Sequence, residues 1–281
     1  MYSIIVRVNS FLDIACNRLQ VTPSQALTEG GQKQVYVVSD SKGSTSVLKL
    51  INLSLATDPA ARKRAEREVD ILKRVHHPNV VSVRSDLIFI GDPPVAVSWL
   101  EEHLEGQDLR NATFPWSYER LLTLGIDVAS GLGALHKEGV IHRDLSPGNI
   151  QQLISGRFIV MDPGFAKHTL KSGLTIGGQP GTPGFMTPEH VHSFSGPTPA
   201  SDVFGCCSLV YLAATNTPPI PYEGDEYDYM NRLRDAKHTS LHEKRPDLPE
   251  AFVKVIERGL HSQSARRYRT GEMLSIAFQE V

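Results

Sequence analysis

"IHRDLSPGNI" at 141–150, followed by "FIVMDPGFAK" at 158–167, is the stretch that decides how this 281-residue chain is read. Between short apolar runs it gathers His142, Arg143, Asp144, Asn149 and Asp162. Each of these alone is an ordinary surface charge or a capped turn. Their meaning depends on what stands on either side of them in the chain.

Upstream, β-branched and period-two segments crowd together: "QVYVV" at 34–38, "SVLKLI" at 46–51, "VSVRSDLIFI" at 81–90 and "VAVSWL" at 95–100. Such runs predict a mostly antiparallel sheet. One helix interrupts them over 59–75, where Ala65, Val69, Leu72 and Val75 fall on one face, until Pro78 of "HHPN" stops it. After residue 109 the period changes, because Leu121, Val128, Leu132 and Leu135 recur at helix spacing, as do apolar residues over 203–215 and 249–260. The expectation is an α+β chain with an N-terminal extension or strand at 1–21, a small sheet-rich lobe with its hinge at 22–104 and a larger helical lobe at 105–281. A junction through 98–106 would form a cleft, where ligands tend to bind.

Composition narrows the function classes. The chain is long enough to bury a substantial core. The formal net charge is −2, with no basic stripe for nucleic acid and no polybasic anchor for a membrane surface. The longest apolar run, 203–214, falls short of the roughly 20 residues that span a bilayer, so no membrane insertion is expected. The start, "MYSIIVRVNSFLDIAC", lacks a basic leader and is interrupted by Arg7 and Asp13; it reads as a strand or cap. Cys16, Cys206 and Cys207 form no spaced metal-binding set and point to a reducing, intracellular or cytoplasmic setting, the last two as small buried apolar groups in a core helix. His76, His77, His190 and His192 lack carboxylate or Cys partners at ligand spacing.

The opening stretch resembles the protein kinases: 142–149 matches their catalytic loop H-R-D-L-x-x-x-N, and "DPG" at 162–164 is similar to their metal-binding D-F-G. The resemblance implies a bilobal kinase fold and phosphoryl transfer from ATP, with Mg²⁺, to serine or threonine hydroxyls of a protein substrate. Asp144 would accept the substrate proton, while Asn149 and Asp162 would hold Mg²⁺ through hard oxygen atoms. Lys49, in "SVLKL", resembles the strand lysine of V-A-I-K that contacts the α- and β-phosphates, and Glu68 is its helical partner. "GTPGFMTPE" at 181–189 resembles the end of an activation segment. In it Thr182 would hydrogen-bond Asp144, Glu189 would pair with Arg267, and Asp202 would support the catalytic loop. The resemblance covers nearly the whole chain from Thr22 onward.

The sequence also departs from that family. Aligning Val35 with the family's valine puts Thr28, Gly30 and Lys33 at the three positions of the glycine-rich loop, with Gly31 beside the one survivor. Gly30-Gly31 by itself reads as a hairpin turn. Weaker ATP binding is expected, since glycines there let backbone N–H groups reach phosphates. Ser146 stands where serine/threonine kinases carry a lysine, Pro163 replaces the D-F-G phenylalanine, and Gln151 replaces a leucine beneath adenine. The hinge "WLEEHLEGQDL" at 99–109 admits more than one alignment, one of which makes Glu101 the gatekeeper, and Asp108 stands as a ribose contact. Arg143 implies control by a phosphate in the activation segment, with Thr169, Ser172 and Thr175 as acceptors and Thr175 as the favoured one. Two other readings stay open: a pseudokinase-like scaffold that binds nucleotide or a partner, and a kinase acting on a small molecule.

Overall fold

A computed structural model describes residues 2–29, 32–55, 61–163, 174–176, 179–191 and 196–281. The chain is α+β and divides into two compact units, Met1–His76 with Val81–Leu104 and His77–Val80 with Glu105–Val281. No described helix is long and apolar enough to cross a membrane.

The first unit is built on five antiparallel strands, β1 (Val21–Glu29), β2 (Lys33–Asp40), β3 (Thr45–Asn52), β4 (Ile88–Ile90) and β5 (Ala96–Glu102), in the order β1-β2-β3-β5-β4. Period two gives this sheet two buried faces. On one, Val38, Leu48, Leu50, Ile90, Ala96 and Leu100 pack against Ala15 and Cys16. On the other, Ile51, Val97 and Trp99 pack against Ala65 and Val69.

The first of those covers decides between the two readings of the N-terminus, strand or cap: Tyr2–Leu19 is a helix, α1, that caps the sheet and adds no strand to it. Phe11, Leu12, Ala15, Cys16 and Leu19 recur at helical spacing, and the outer sheet face needs a lid of that width. Helix α2 (Ala61–Arg74) covers the second face, with Lys73 and Arg74 in its last turn, where the helix dipole favours cations. The expected start of this helix at Pro59 lies outside the described residues.

The second unit carries a short three-stranded sheet, β6 (Gly106–Asp108), β7 (Ile150–Leu153) and β8 (Phe158–Val160). Its helices are α3 (Tyr118–Lys137), α4 (Pro199–Thr215), α5 (Glu226–Arg234), α6 (Leu241–Lys244), α7 (Glu250–Gly259) and α8 (Gly271–Gln279), with a small ribbon of β9 (Leu174–Ile176) and β10 (Gln179–Gly181) before α4. Helix α4 is the core element. It starts at a Thr198/Ser201 capping box with Pro199 in its first turn, buries nearly every residue, and stops at Asn216 in the left-handed region (φ 64°). Burial pushes the Cys206 and Cys207 thiols well up, as two apolar core residues require.

The "HHPN" turn contributes His77–Val80 to this unit. Asn79 Nδ2 donates to the Phe158 carbonyl and the Val160 N–H donates to the Asn79 carbonyl, both at 2.9 Å, while Asp127 accepts from the Phe158 N–H. Strand β8, which leads into Asp162, is therefore held from both sides.

Helix α8 lies so close to α3 that a Cβ on Gly271 would stand 2.5 Å from the Ala129 carbonyl oxygen and the Gly133 nitrogen. Backbone cannot yield as a side-chain tip does. Gly271→Ala is expected to lower stability by about 1–3 kcal/mol, read as a reduced denaturation midpoint at unchanged slope.

Candidate active site

The β2 and β3 ladders place Val35 directly opposite Lys49, and Lys49 in turn opposite Trp99 of β5. Lys49 shares the face of Ile51 and Trp99, the face that α2 covers. Lys49 is 4% exposed, and its ammonium lies 3.1 Å from Glu68 Oε1 and 2.6 Å from Glu101 Oε1. Trp99 Nε1 donates to that same Glu101 oxygen at 2.8 Å, and the ammonium stands 5.6 Å from the centre of the Trp99 ring. The expected Lys49–Glu68 pair is therefore made, and Glu101, read from sequence only as a gatekeeper, joins it as a second buried carboxylate.

In the second unit Asp202, at the start of α4, organises the catalytic loop. Its Oδ2 accepts from the His142 N–H at 2.7 Å and its Oδ1 from the Arg143 N–H at 2.9 Å. His136 Nε2 lies 2.8 Å from Oδ2, and because His136 Nδ1 accepts the Gly271 N–H, the proton sits on Nε2 and is donated to Asp202. The α3/α8 packing thus fixes a tautomer that serves the loop. His136 was not singled out from the sequence; its placement at the end of α3 and its α8 partner exist only in three dimensions.

With its backbone held, the loop can turn sharply. Arg143 adopts φ 68°, a left-handed conformation that costs an L-residue about 1–2 kcal/mol and persists here because Asp202 grips its own N–H and that of His142. His142 donates from Nε2 to the Met161 carbonyl at 2.9 Å, tying the loop to the strand end that carries Asp162. Asp162 is also left-handed, at φ 48°, immediately before Pro163.

Asp144 receives Thr182 Oγ1 at 3.1 Å on one carboxylate oxygen and Asn149 Nδ2 at 3.2 Å on the other. The Asn149 amide also donates to the Asp144 carbonyl at 2.6 Å, and the Met161 N–H donates to the Asn149 carbonyl. With Nδ2 so directed, the ligand atom that Asn149 offers is its side-chain oxygen. Asn149 and Asp162 together present an amide oxygen and a carboxylate, the hard donors that Mg²⁺ takes.

Glu189 and Arg267 form a two-pronged pair at 2.9 and 3.2 Å, with the remaining guanidinium N–H groups donated to the carbonyls of Ala200, His261 and Ser262. Burial works hardest on the Glu189 carboxyl and works to raise it, yet the Arg267 charge together with hydrogen bonds from Thr187, Arg267 and the backbone holds that carboxyl below its usual range. Burial also tugs the guanidinium downward, but arginine keeps its charge at any physiological pH, so the pair is ionic.

Other residues singled out from the sequence fare differently. Gly30 and Gly31 lie outside the described residues, as do Thr169 and Ser172. Thr175 stands opposite Pro180 in the β9/β10 ribbon. Asp108 caps the turn after β6 and receives Arg110 through its backbone N–H, Nε and Nη2. Ser146, at the place of the missing lysine, is buried.

A family model described as the protein kinase domain matches residues 22–278. The chain belongs to that family. Over 253 residues this kinase domain is 30% identical to the serine/threonine-protein kinase PknE of Mycobacterium tuberculosis, a stretch that makes up 88% of this chain and 44% of that protein. It is 29% identical over 264 residues to the serine/threonine-protein kinase PknH of Mycobacterium bovis, covering 91% of this chain and 43% of that protein. The serine/threonine-protein kinase AfsK of Streptomyces coelicolor is 31% identical over 198 residues, covering 69% and 24%. The chain spans less than half the length of these curated relatives.

Removing the Lys49 charge from this kinase domain leaves two buried carboxylates facing one another. Lys49→Met is expected to cost about 3–5 kcal/mol of stability, well beyond what loss of a phosphate contact alone would do, and urea unfolding in the absence of nucleotide measures it.

Proposed function

We propose that this kinase domain transfers the γ-phosphoryl group of ATP to serine or threonine hydroxyls of protein substrates. The observation that carries the reading is the Asp144 carboxylate held by Thr182 on one oxygen and Asn149 on the other, on a loop whose backbone Asp202 fixes. Such a carboxylate is oriented to accept a hydrogen bond from an incoming hydroxyl and then its proton. Lys49 would meet the α- and β-phosphates as a fixed positive charge. Asn149 and Asp162 would hold Mg²⁺, which when bound neutralises the phosphate oxygens and steadies the leaving group. Because little covalent work falls to the protein, what its residues do is hold these charges in place before the nucleotide arrives.

Two features favour a slower enzyme or a nucleotide-binding scaffold as the second reading: Ser146 brings no cation to the γ-phosphate, and the Asp108 carboxylate is already engaged by Arg110. Incubation of the purified chain with γ-labelled ATP, Mg²⁺ and a basic protein separates the readings. Label on protein is expected from the parent, with a loss of at least about a hundredfold in Asp144→Asn and in Asp162→Asn at unchanged melting temperature. ATP binding with no transfer from the parent would favour the scaffold, and label confined to an added metabolite would favour a small-molecule kinase.

Control through Arg143 belongs to the same proposal. A phosphate on Thr175 would carry close to two negative charges and pair with that guanidinium, ordering the activation segment. Thr175→Ala is expected to remove the acceleration that preincubation with ATP gives the parent; equal acceleration in both would show that Thr175 is not the switch.

A further inference from the structure

Glu101 is the feature of the first unit that its family membership does not account for. The contact it makes with Lys49 is shorter than that of Glu68, 2.6 against 3.1 Å. Its oxygen is also better oriented, since Trp99 Nε1 donates to the same atom from two residues away on the strand. Glu68 grips with Oε1 alone, and its buried Oε2 has no hydrogen-bond partner among the described residues.

The two carboxylates also differ in what carries them. Glu68 rides on α2, which reaches the sheet through side-chain packing of Ala65 and Val69. Glu101 rides on β5, all seven residues of which are registered against β3, with Glu101 opposite Val47 and Trp99 opposite Lys49. Lys49 and Glu101 are thus diagonal neighbours on one face of a hydrogen-bonded ladder. Backbone ladders fix such distances far more firmly than helix-on-sheet packing does.

We propose that Glu101 is a positioning residue for Lys49, holding the ammonium from within the sheet independently of Glu68. The ordinary dependence of the strand lysine on a well-placed helix is thereby relaxed in this chain. A shift of α2 that breaks the Glu68 contact leaves Lys49 in place. The inference rests on Lys49 being the phosphate ligand of the proposed function, but the contacts of Lys49 with Glu68 and Glu101 both lie within the first unit.

The test compares the parent with Glu68→Gln, Glu101→Gln and the double variant in the full chain. Glutamine keeps the length of the side chain and its acceptor for Trp99 while removing the charge. The first readout is the rate at which an N-hydroxysuccinimide ester acylates Lys49 without nucleotide, followed by mass spectrometry. Loss of these two counter-charges in an apolar setting shifts the ammonium toward its neutral, nucleophilic amine form. Glu68→Gln is expected to label within about 3-fold of the parent and the double variant at least about 30-fold faster, because groups that share one partner couple strongly. The KM for ATP should follow the same pattern, with a smaller change in kcat.

Glu101→Gln labelling as fast as the double variant would show Glu101 to be the main holder and support the proposal. Glu68→Gln labelling as fast as the double variant, or indifference to Glu101 in both backgrounds, would overturn it. If the double variant does not fold, Glu101→Asp in the Glu68→Gln background replaces it: drawing the carboxylate back by one methylene should speed labelling over Glu68→Gln alone, and no change would refute the proposal. The expected labelling pattern in a chain that never transfers phosphate would uphold the positioning role and refute the kinase reading. Transfer with labelling blind to Glu101 would do the reverse.

Discussion

A charge taken out of water has to be met inside the protein, and this requirement shapes each functional element of the chain. Lys49 lies between Glu68 and Glu101, Asp202 accepts two backbone N–H groups and a histidine, and Arg267 satisfies its whole fork on Glu189 and three carbonyls. None of these groups contributes much as an isolated interaction, because desolvation offsets most of the attraction. Their effect is on geometry. Removing one partner leaves the other exposed to the full cost of burial, so each arrangement is locked to the side chains that complete it.

The locks act at a distance from the groups that would do chemistry. Asp144 is placed by a loop whose sharp turn at Arg143 is tolerable only because Asp202, on α4, holds its N–H groups. Asp202 is in turn served by His136, whose tautomer is set by the first amide of α8. Close approach of α3 and α8, which requires Gly271, therefore reaches the loop through a chain of hydrogen bonds. In the first unit the equivalent support is the β3/β5 ladder, which sets Lys49, Trp99 and Glu101 on one face.

Much of this was legible along the chain. Period-two runs foretold β2, β3 and β5, helical spacing foretold α2, α3 and α4, and the catalytic-loop and Lys49–Glu68 patterns named residues that the folded units do pair or hold. At the N-terminus the apolar run broken by Arg7 and Asp13 fits a strand or a cap, and the helical stripe of Phe11, Leu12, Ala15, Cys16 and Leu19 is what makes it a helical cap. The role of Glu101 was hidden for a different reason. Alternation puts it on the face of Trp99, but only the β3/β5 register brings that face to Lys49.

The sequence by itself determined the passage from a sheet-rich to a helical half and the membership of the protein kinase family, because periodicity, turn residues and contiguous motifs are local in the chain. Tertiary structure alone decided which buried charges meet: Lys49 with Glu101, and His136 with Asp202. These contacts join residues tens of positions apart. They depend on strand register and helix packing, set by the fit of the whole core and by no short stretch of chain.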